Sequence, residues 1–166
     1  MGQLIMLTDQ TNQIEIRLAV PDDIEQIRRL NEEFWQYNAA LMPYYYQSGH
    51  DSGEYPQNMI NGANSDIIIA IDDGVIIGLV CLLEDKTMPY SAIVQHKFTH
   101  VNDLFITQSH RGKGIGKMLM NAAKEWGVTR GHDYIDLTVL EGNGHALDFY
   151  LDFGFEITER ILKYRL

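Results

Sequence analysis

The sequence predicts a mixed α/β fold, and three features predict it. Two β-branched runs, 67–71 and 75–83, are joined by Asp72-Asp73-Gly74, the composition of a hairpin turn. Apolar residues from Ile115 to Trp126 then recur at helical spacing between strand-like runs, and a second helix pattern precedes the C-terminal runs. Helices interleaved with strands after an early hairpin make a mixed sheet, not a bundle, repeat or solenoid. With 166 residues, 45% of them hydrophobic, the chain has the size of one globular domain with a real core. We assign 14–166 to that domain. Residues 1–13 are polar and unpatterned apart from a short apolar patch, and are expected to be a flexible N-terminal segment.

In chain order, Ile14, Ile16 and Leu18 alternate with Glu15 and Arg17 as a half-buried strand, which Pro21-Asp22 ends. Asp22 and Glu25 have the spacing of a capping box; Ile24, Ile27, Leu30 or Asn31, and Phe34 follow at helical period until Pro43. Residues 48–64 are rich in Gly, Ser, Asn and Asp, and read as a loop with at most a short helix near 57–60. After the hairpin, 84–91 is a connection. A strand over 98–106 is expected to alternate, with His100, Asn102 and Leu104 opposite to Val101, Asp103 and Phe105. Ile115, Met118, Leu119, Ala122, Ala123 and Trp126 form one helix face, Gly131 stops that helix, and Ile135, Leu137 and Val139 alternate as a strand. Asn143 can cap a last helix with core-spaced Ala146, Leu147, Phe149, Tyr150 and Phe153, and Gly154 stops it. Closing strands are expected near 155–158 and 161–164.

The stretch that carries chemistry is Arg111-Gly112-Lys113-Gly114-Ile115-Gly116-Lys117. Three glycines in five positions let the backbone turn tightly and present its N–H groups without Cβ interference. The helix that follows aims unpaired amides and its positive dipole end at the same place. No Asp or Glu occurs from 104 to 124, in a chain whose net charge is -10, so this cation cluster suits a phosphate. A dinucleotide fingerprint fails, because it needs glycine at Lys117 or at Leu119. A P-loop fails at Arg111 and Met118.

These residues resemble the GNAT superfamily of acetyl-CoA-dependent N-acetyltransferases, whose loop R/Q-x-x-G-x-G/A is met by Arg111 to Gly116. Asn143, Ala146 and Phe149-Tyr150, followed by Phe153-Gly154-Phe155, match the family's N-x-x-A-x-x-F-Y helix and the G-F after it. The likeness covers residues 101–155. It implies a GNAT-like, mostly antiparallel twisted sheet flanked by helices. It also implies that the pyrophosphate of acetyl-CoA lies on the amides of Arg111, Gly112, Lys113, Gly114, Ile115 and Gly116, with Lys117 and Asn143 close by, and that the pantetheine arm runs beside Leu104, Phe105 and Ile106. Tyr150 would approach the thioester sulfur, and a backbone N–H near Phe105 and Ile106 would meet the oxyanion. A homodimer is implied by the same analogy.

A tyrosine with an ordinary pKa near 10 is protonated at neutral pH, so Tyr150 suits a general acid for the leaving thiolate. The base is less clear from residues. Polyamine-acetylating members place Glu-Asp before the loop, where this chain has Asn102-Asp103, and asparagine takes no proton. Asp103 is the candidate base, directly or through a water; Glu141, a pocket carboxylate, an amine that arrives neutral, and a relay through His100 are the alternatives. Glu33, Tyr37 and Tyr45 are substrate-binding candidates, because carboxylates beside aromatic faces hold ammonium groups. The resemblance adds Asp51, Glu54 and Tyr55, since in the family the segment between the first two strands often lines the acceptor site.

Composition removes other classes. The acidic balance argues against a nucleic-acid partner. No apolar run is long enough to span a bilayer and the N-terminus lacks a basic flank, which together with the lone Cys81 reads as a cytoplasmic protein. Cys81 lies in an apolar strand run and reads as an inert core thiol. The six histidines lack metal-ligand spacing, so no metal site is expected. The reading is an N-acetyltransferase that moves acetyl from acetyl-CoA to a primary amine of a small molecule. A non-catalytic acyl-CoA-binding regulatory module and a protein amino-group acetyltransferase stand as alternatives.

Overall fold

A computed structural model describes residues 14–49, 53–60 and 62–166; the segment 1–13, His50 and Asp51 lie outside them. One five-stranded sheet runs in the order β1 (Glu15–Leu18), β2 (Ser65–Asp72), β3 (Val75–Lys86), β4 (Lys97–Ile106), β5 (Tyr134–Leu137). The first four strands pair antiparallel and β5 runs parallel to β4. Helices α1 (Ile24–Leu41) and α2 (Tyr55–Ile60) cover one face, where Ile27, Leu30 and Met59 pack on Ile67, Ile69, Leu79, Cys81 and Phe105. Helices α3 (Ile115–Thr129) and α4 (Gly144–Phe153) cover the other, where Leu119, Met120, Trp126 and Tyr150 pack on Ile68, Val80, Leu82 and Val101. Buried on both faces, β2 and β3 read as near-continuous apolar runs. The mixed, mostly antiparallel sheet flanked by helices is the one expected.

The β2–β3 hairpin turns on Asp73 and Gly74, with φ of 47° and 76°. Two successive positive φ values are what a two-residue hairpin needs to match strand twist. At the start of α1 the acid that matters is Asp23, not Asp22. Its Oδ2 accepts the Val20 N–H at 2.7 Å, and Arg17 of β1 grips both its oxygens at 2.7 and 2.9 Å. Asp23 thus ties the single turn ahead of α1 back to Val20 and to β1, and its side chain makes no cap bond to α1 itself.

Two expectations fail. Cys81 pairs with Asp103 but the next residue, Leu82, pairs with Val101, so Asn102 is the extra residue of a β-bulge. The bulge breaks the alternation along β4: Val101 faces the α3 side together with Leu104 and Ile106, whereas Phe105 packs with α1 on the opposite face. Val101 and Phe105 therefore do not share a face. The closing strands near 155–158 and 161–164 are absent too, and the chain after α4 makes no ladder. Instead Lys163 Nζ stands 4.4 Å over the Tyr45 ring and Arg165 Cζ 3.5 Å over Tyr44, which ties this segment to the chain beyond α1 by cation–π contact.

Candidate active site

The glycine turn links the end of β4 to α3. Gly112 and Gly114 have φ of 76° and 82°, and a Cβ added at either would meet nothing within 4 Å. Positive φ is the reason for glycine at these positions, and the space above them is open. Gly114 is the N-cap of α3, and no acid occurs in the helix's first turn. The amides of Ile115, Gly116 and Lys117 thus precede the first helical acceptors, at the positive end of a 15-residue helix. Lys113 and Lys117 are exposed and take no ion-pair partner among the described residues. These features fit a diphosphate.

The Arg111 side chain has partners within the protein. Its Nε donates to the Ile106 carbonyl at 2.9 Å, and its Cζ lies 4.9 Å from the Tyr37 ring centroid and 5.4 Å from that of Phe105. The guanidinium therefore closes the end of β4 against α1. Nothing in the sequence pattern signalled that contact. Tyr37 in turn points its hydroxyl at Asn143 Oδ1, a long 3.4 Å, while Asn143 accepts the Ala146 N–H at 3.2 Å as the N-cap of α4.

Pairing of β4 with β5 stops at Val101 and Leu137. From Asn102 onward the outer edge of β4 has no strand partner among the described residues, so its main-chain polar groups beside Leu104 and Phe105 are open to a ligand. On the other flank α4 approaches the turn. A Cβ at Gly116 would lie 3.2 and 3.3 Å from Phe149 ring atoms and 3.4 Å from Ile106 Cδ1. Tyr150 follows Phe149. It is buried, and its hydroxyl takes no hydrogen bond from or to the described residues. Burial raises its pKa above the ordinary phenol value, and the negative charge of Asp103 raises it further. Tyr150 is thus protonated across the physiological range.

Asp103 meets Tyr55, the first residue of α2. The Tyr55 hydroxyl donates to Asp103 Oδ2 at 2.6 Å, and Asn102 Nδ2 donates to the same oxygen at 2.8 Å and to the Tyr55 oxygen at 3.0 Å. Burial raises the Asp103 carboxyl above its ordinary range, partly offset by these two donors and by the His100 charge. A raised carboxyl is a stronger base than one in water. Tyr55 carried only a weak signal in the sequence, because a loop tyrosine 48 positions away declares no partner. Asn102, which cannot act as a base, supplies the second donor to that carboxylate.

Glu33, Tyr45, Glu54 and Glu141 do not gather here. Glu33 lines an open cleft with Ile76, Ile77, Thr107, Gln108 and His110, which shares no residue with the Tyr55–Asp103 cluster. Tyr45 is 42% exposed and packs on Tyr44 and Lys163. Glu54 is exposed and meets Asn58 at 3.4 Å, and Glu141 is exposed ahead of α4. His100 is bonded to Asp136 of β5 at 2.8 Å. Cys81 is buried, and its thiol is pushed up by burial, as expected of an inert core residue. No helix of the described residues is long and apolar enough to cross a membrane.

The sequence pattern described as the acetyltransferase (GNAT) family matches residues 24–155. An uncharacterized N-acetyltransferase of Archaeoglobus fulgidus is 28% identical over 137 residues, covering 82% of this chain and 89% of its own. Aminoglycoside N(6')-acetyltransferase type 1 of Salmonella typhimurium is 25% identical over 154 residues, covering 86% of this chain and 97% of its own. Among solved structures, an aminoglycoside N-acetyltransferase in complex with CoA matches the fold with a TM-score of 0.72 at 22% identity, over 96% of this chain and 99% of that one.

Proposed function

Because the chain belongs to the acetyltransferase (GNAT) family and takes its acetyl group from acetyl-CoA, we propose that it acetylates a primary amine of a small molecule, with Tyr150 as general acid and Asp103 as base. The observation that carries this reading is the contact of Gly116 with Phe149. It sets the phosphate turn against the helix whose next residue, Tyr150, has a protonated hydroxyl with no partner among the described residues. A cationic acceptor is favoured by the net charge of -10, and the aminoglycoside-acetylating relative acts on molecules of that class.

In this reading the amides from Arg111 to Gly116 hold the diphosphate, with Lys113 and Lys117 adding charge, and the open edge of β4 at Leu104 to Ile106 aligns the arm that follows. The thioester supplies the acyl group. Asp103 removes a proton from the ammonium nitrogen, and the freed electron pair attacks the thioester carbonyl. The C–S bond then breaks as Tyr150 gives its proton to the departing sulfur, and the second N–H proton passes to the Tyr150 oxygen, which restores the phenol. The experiment is release of free CoA thiol from acetyl-CoA across a panel of amines, native protein against Tyr150→Phe. Native turnover on at least one amine, reduced about 100-fold or more in the variant with acetyl-CoA affinity retained, is expected. Background turnover by both proteins, with tight CoA binding, would establish a non-catalytic binder instead.

A further inference from the structure

Asp103 is held through one of its two oxygens. Both donors that reach it, the Tyr55 hydroxyl and Asn102 Nδ2, bond Oδ2; Oδ1 takes no donor among the described residues and is not sealed from solvent. Tyr55 is itself fixed. It opens α2, whose Met59 is buried in the α1-side core and whose Met59 carbonyl accepts the Ser65 hydroxyl at 2.9 Å. Asn102 is fixed by being the bulged residue of β4, which turns its side chain back along the strand onto its neighbour's carboxylate.

We infer that Tyr55 and Asn102 are positioning residues for acetyl transfer, clamping Asp103 by Oδ2 so that Oδ1 is presented to the ammonium group of the acceptor. The inference rests on Asp103 being the base and adds what aims it. A carboxylate free to rotate presents its lone pairs at random, and one fixed through a single oxygen presents the other in one direction. At that oxygen an N–H bond of the ammonium breaks, its electron pair stays on nitrogen, and an O–H bond forms on Oδ1. The departure from a Glu-Asp pair is then a substitution of role: the amide at 102 donates to its neighbour, where a second carboxylate would repel it.

The titratable groups that face Asp103 are Tyr55 from α2, Cys81 from β3, His100 from β4 and Tyr150 from α4. Of these, Tyr55 and His100 favour the charged carboxylate. Removing the Tyr55 hydroxyl leaves burial less opposed, so the carboxyl titrates higher.

The test uses ¹³C NMR titration of the Asp103 carboxyl in the protein alone, with the pH dependence of kcat/KM measured in parallel. In Tyr55→Phe the carboxyl midpoint rises by about one pH unit, the acidic limb of the rate profile moves with it, and acetyl-CoA affinity is unchanged. Asn102→Ala, at an exposed position, shifts both in the same direction and carries the test should Tyr55→Phe melt without cooperativity. Unmoved midpoints in folded variants, with Asp103→Asn inactive, overturn the clamp while leaving the base in place. An active Asp103→Asn with an unchanged profile removes the base, and the clamp with it.

Discussion

Gly116 of the glycine turn and Phe149 of α4 touch so closely that a Cβ at 116 would stand 3.2 Å from the ring. The glycine turn and the helix that bears Tyr150 are therefore one packed unit, and a side chain at 116 presses on α4 as well as on the turn. Gly116→Val is expected to cost about 1–3 kcal/mol by overpacking, seen as a lower denaturant midpoint, and to reduce turnover by moving Tyr150. Combining it with Phe149→Ala opens room for the new methyls. The double variant should therefore be less destabilised than the sum of the singles, with a coupling of roughly 0.5 kcal/mol or more. Simple additivity would show that the two residues do not press on each other.

Gly114 poses a different constraint, because a Cβ there would meet nothing within 4 Å and its φ of 82° is what disfavours a side chain. Gly114→Val should cost roughly 1–2 kcal/mol from backbone strain and weaken acetyl-CoA binding by tenfold or more. Gly114→Asn, which tolerates this region better, should lose less of both. Calorimetric titration with acetyl-CoA, beside thermal melts, separates the two effects. Unchanged affinity in Gly114→Val would refute the placement of the diphosphate.

His100 and Asp136 bridge β4 and β5 at 2.8 Å, one pair before the strands stop pairing. The hydrogen bond to Asp136 raises the His100 pKa, against the opposing effect of burial. A histidine with a raised folded pKa contributes stability that is fully present below its unfolded value, about 6.5, and is lost as pH rises through the folded value. Asp136→Asn should therefore cost about 0.2–1 kcal/mol at pH 5.5 and close to nothing at pH 9, by chemical denaturation at each pH. An equal loss at both would mean that the imidazolium is not what the aspartate holds.

What the sequence shows and what it hides divides along the range of the interactions. The turn, α3 and α4 were legible because glycine φ, the Asn143 cap and apolar spacing are local properties of 111–154. The bulge at Asn102 was not, since it is defined by how β3 pairs across to β4, and two residues of one strand opposing one of another leave no mark in either strand alone. Asp103 was singled out by the family pattern, but its partner Tyr55 came from a stretch read as loop. The apolar composition of 161–164 suits a strand, yet a strand needs a neighbour. Here Lys163 and Arg165 engage tyrosine faces, and Leu162 and Tyr164 are 92% and 90% exposed.

Arg111 offers the sharpest test of whether charge or shape matters at the turn. Its guanidinium lies against Tyr37 and Phe105, and its Nε occupies the Ile106 carbonyl. A guanidinium can lie against both rings while its Nε donates to the carbonyl, a combination that a single lysine ammonium does not reproduce. If the diphosphate is held by main-chain amides, Arg111→Lys should behave nearly as Arg111→Ala does. Each should lose about 1 kcal/mol of stability, and each should bind acetyl-CoA several-fold more weakly because the start of the turn is no longer pinned to β4. Lys113→Ala with Lys117→Ala should instead leave stability unchanged and make binding less sensitive to salt, since those exposed cations act through their charge. Titrations at low and high ionic strength distinguish the two sets. Full recovery of affinity in Arg111→Lys would assign Arg111 a phosphate contact through its charge and remove the pinning role.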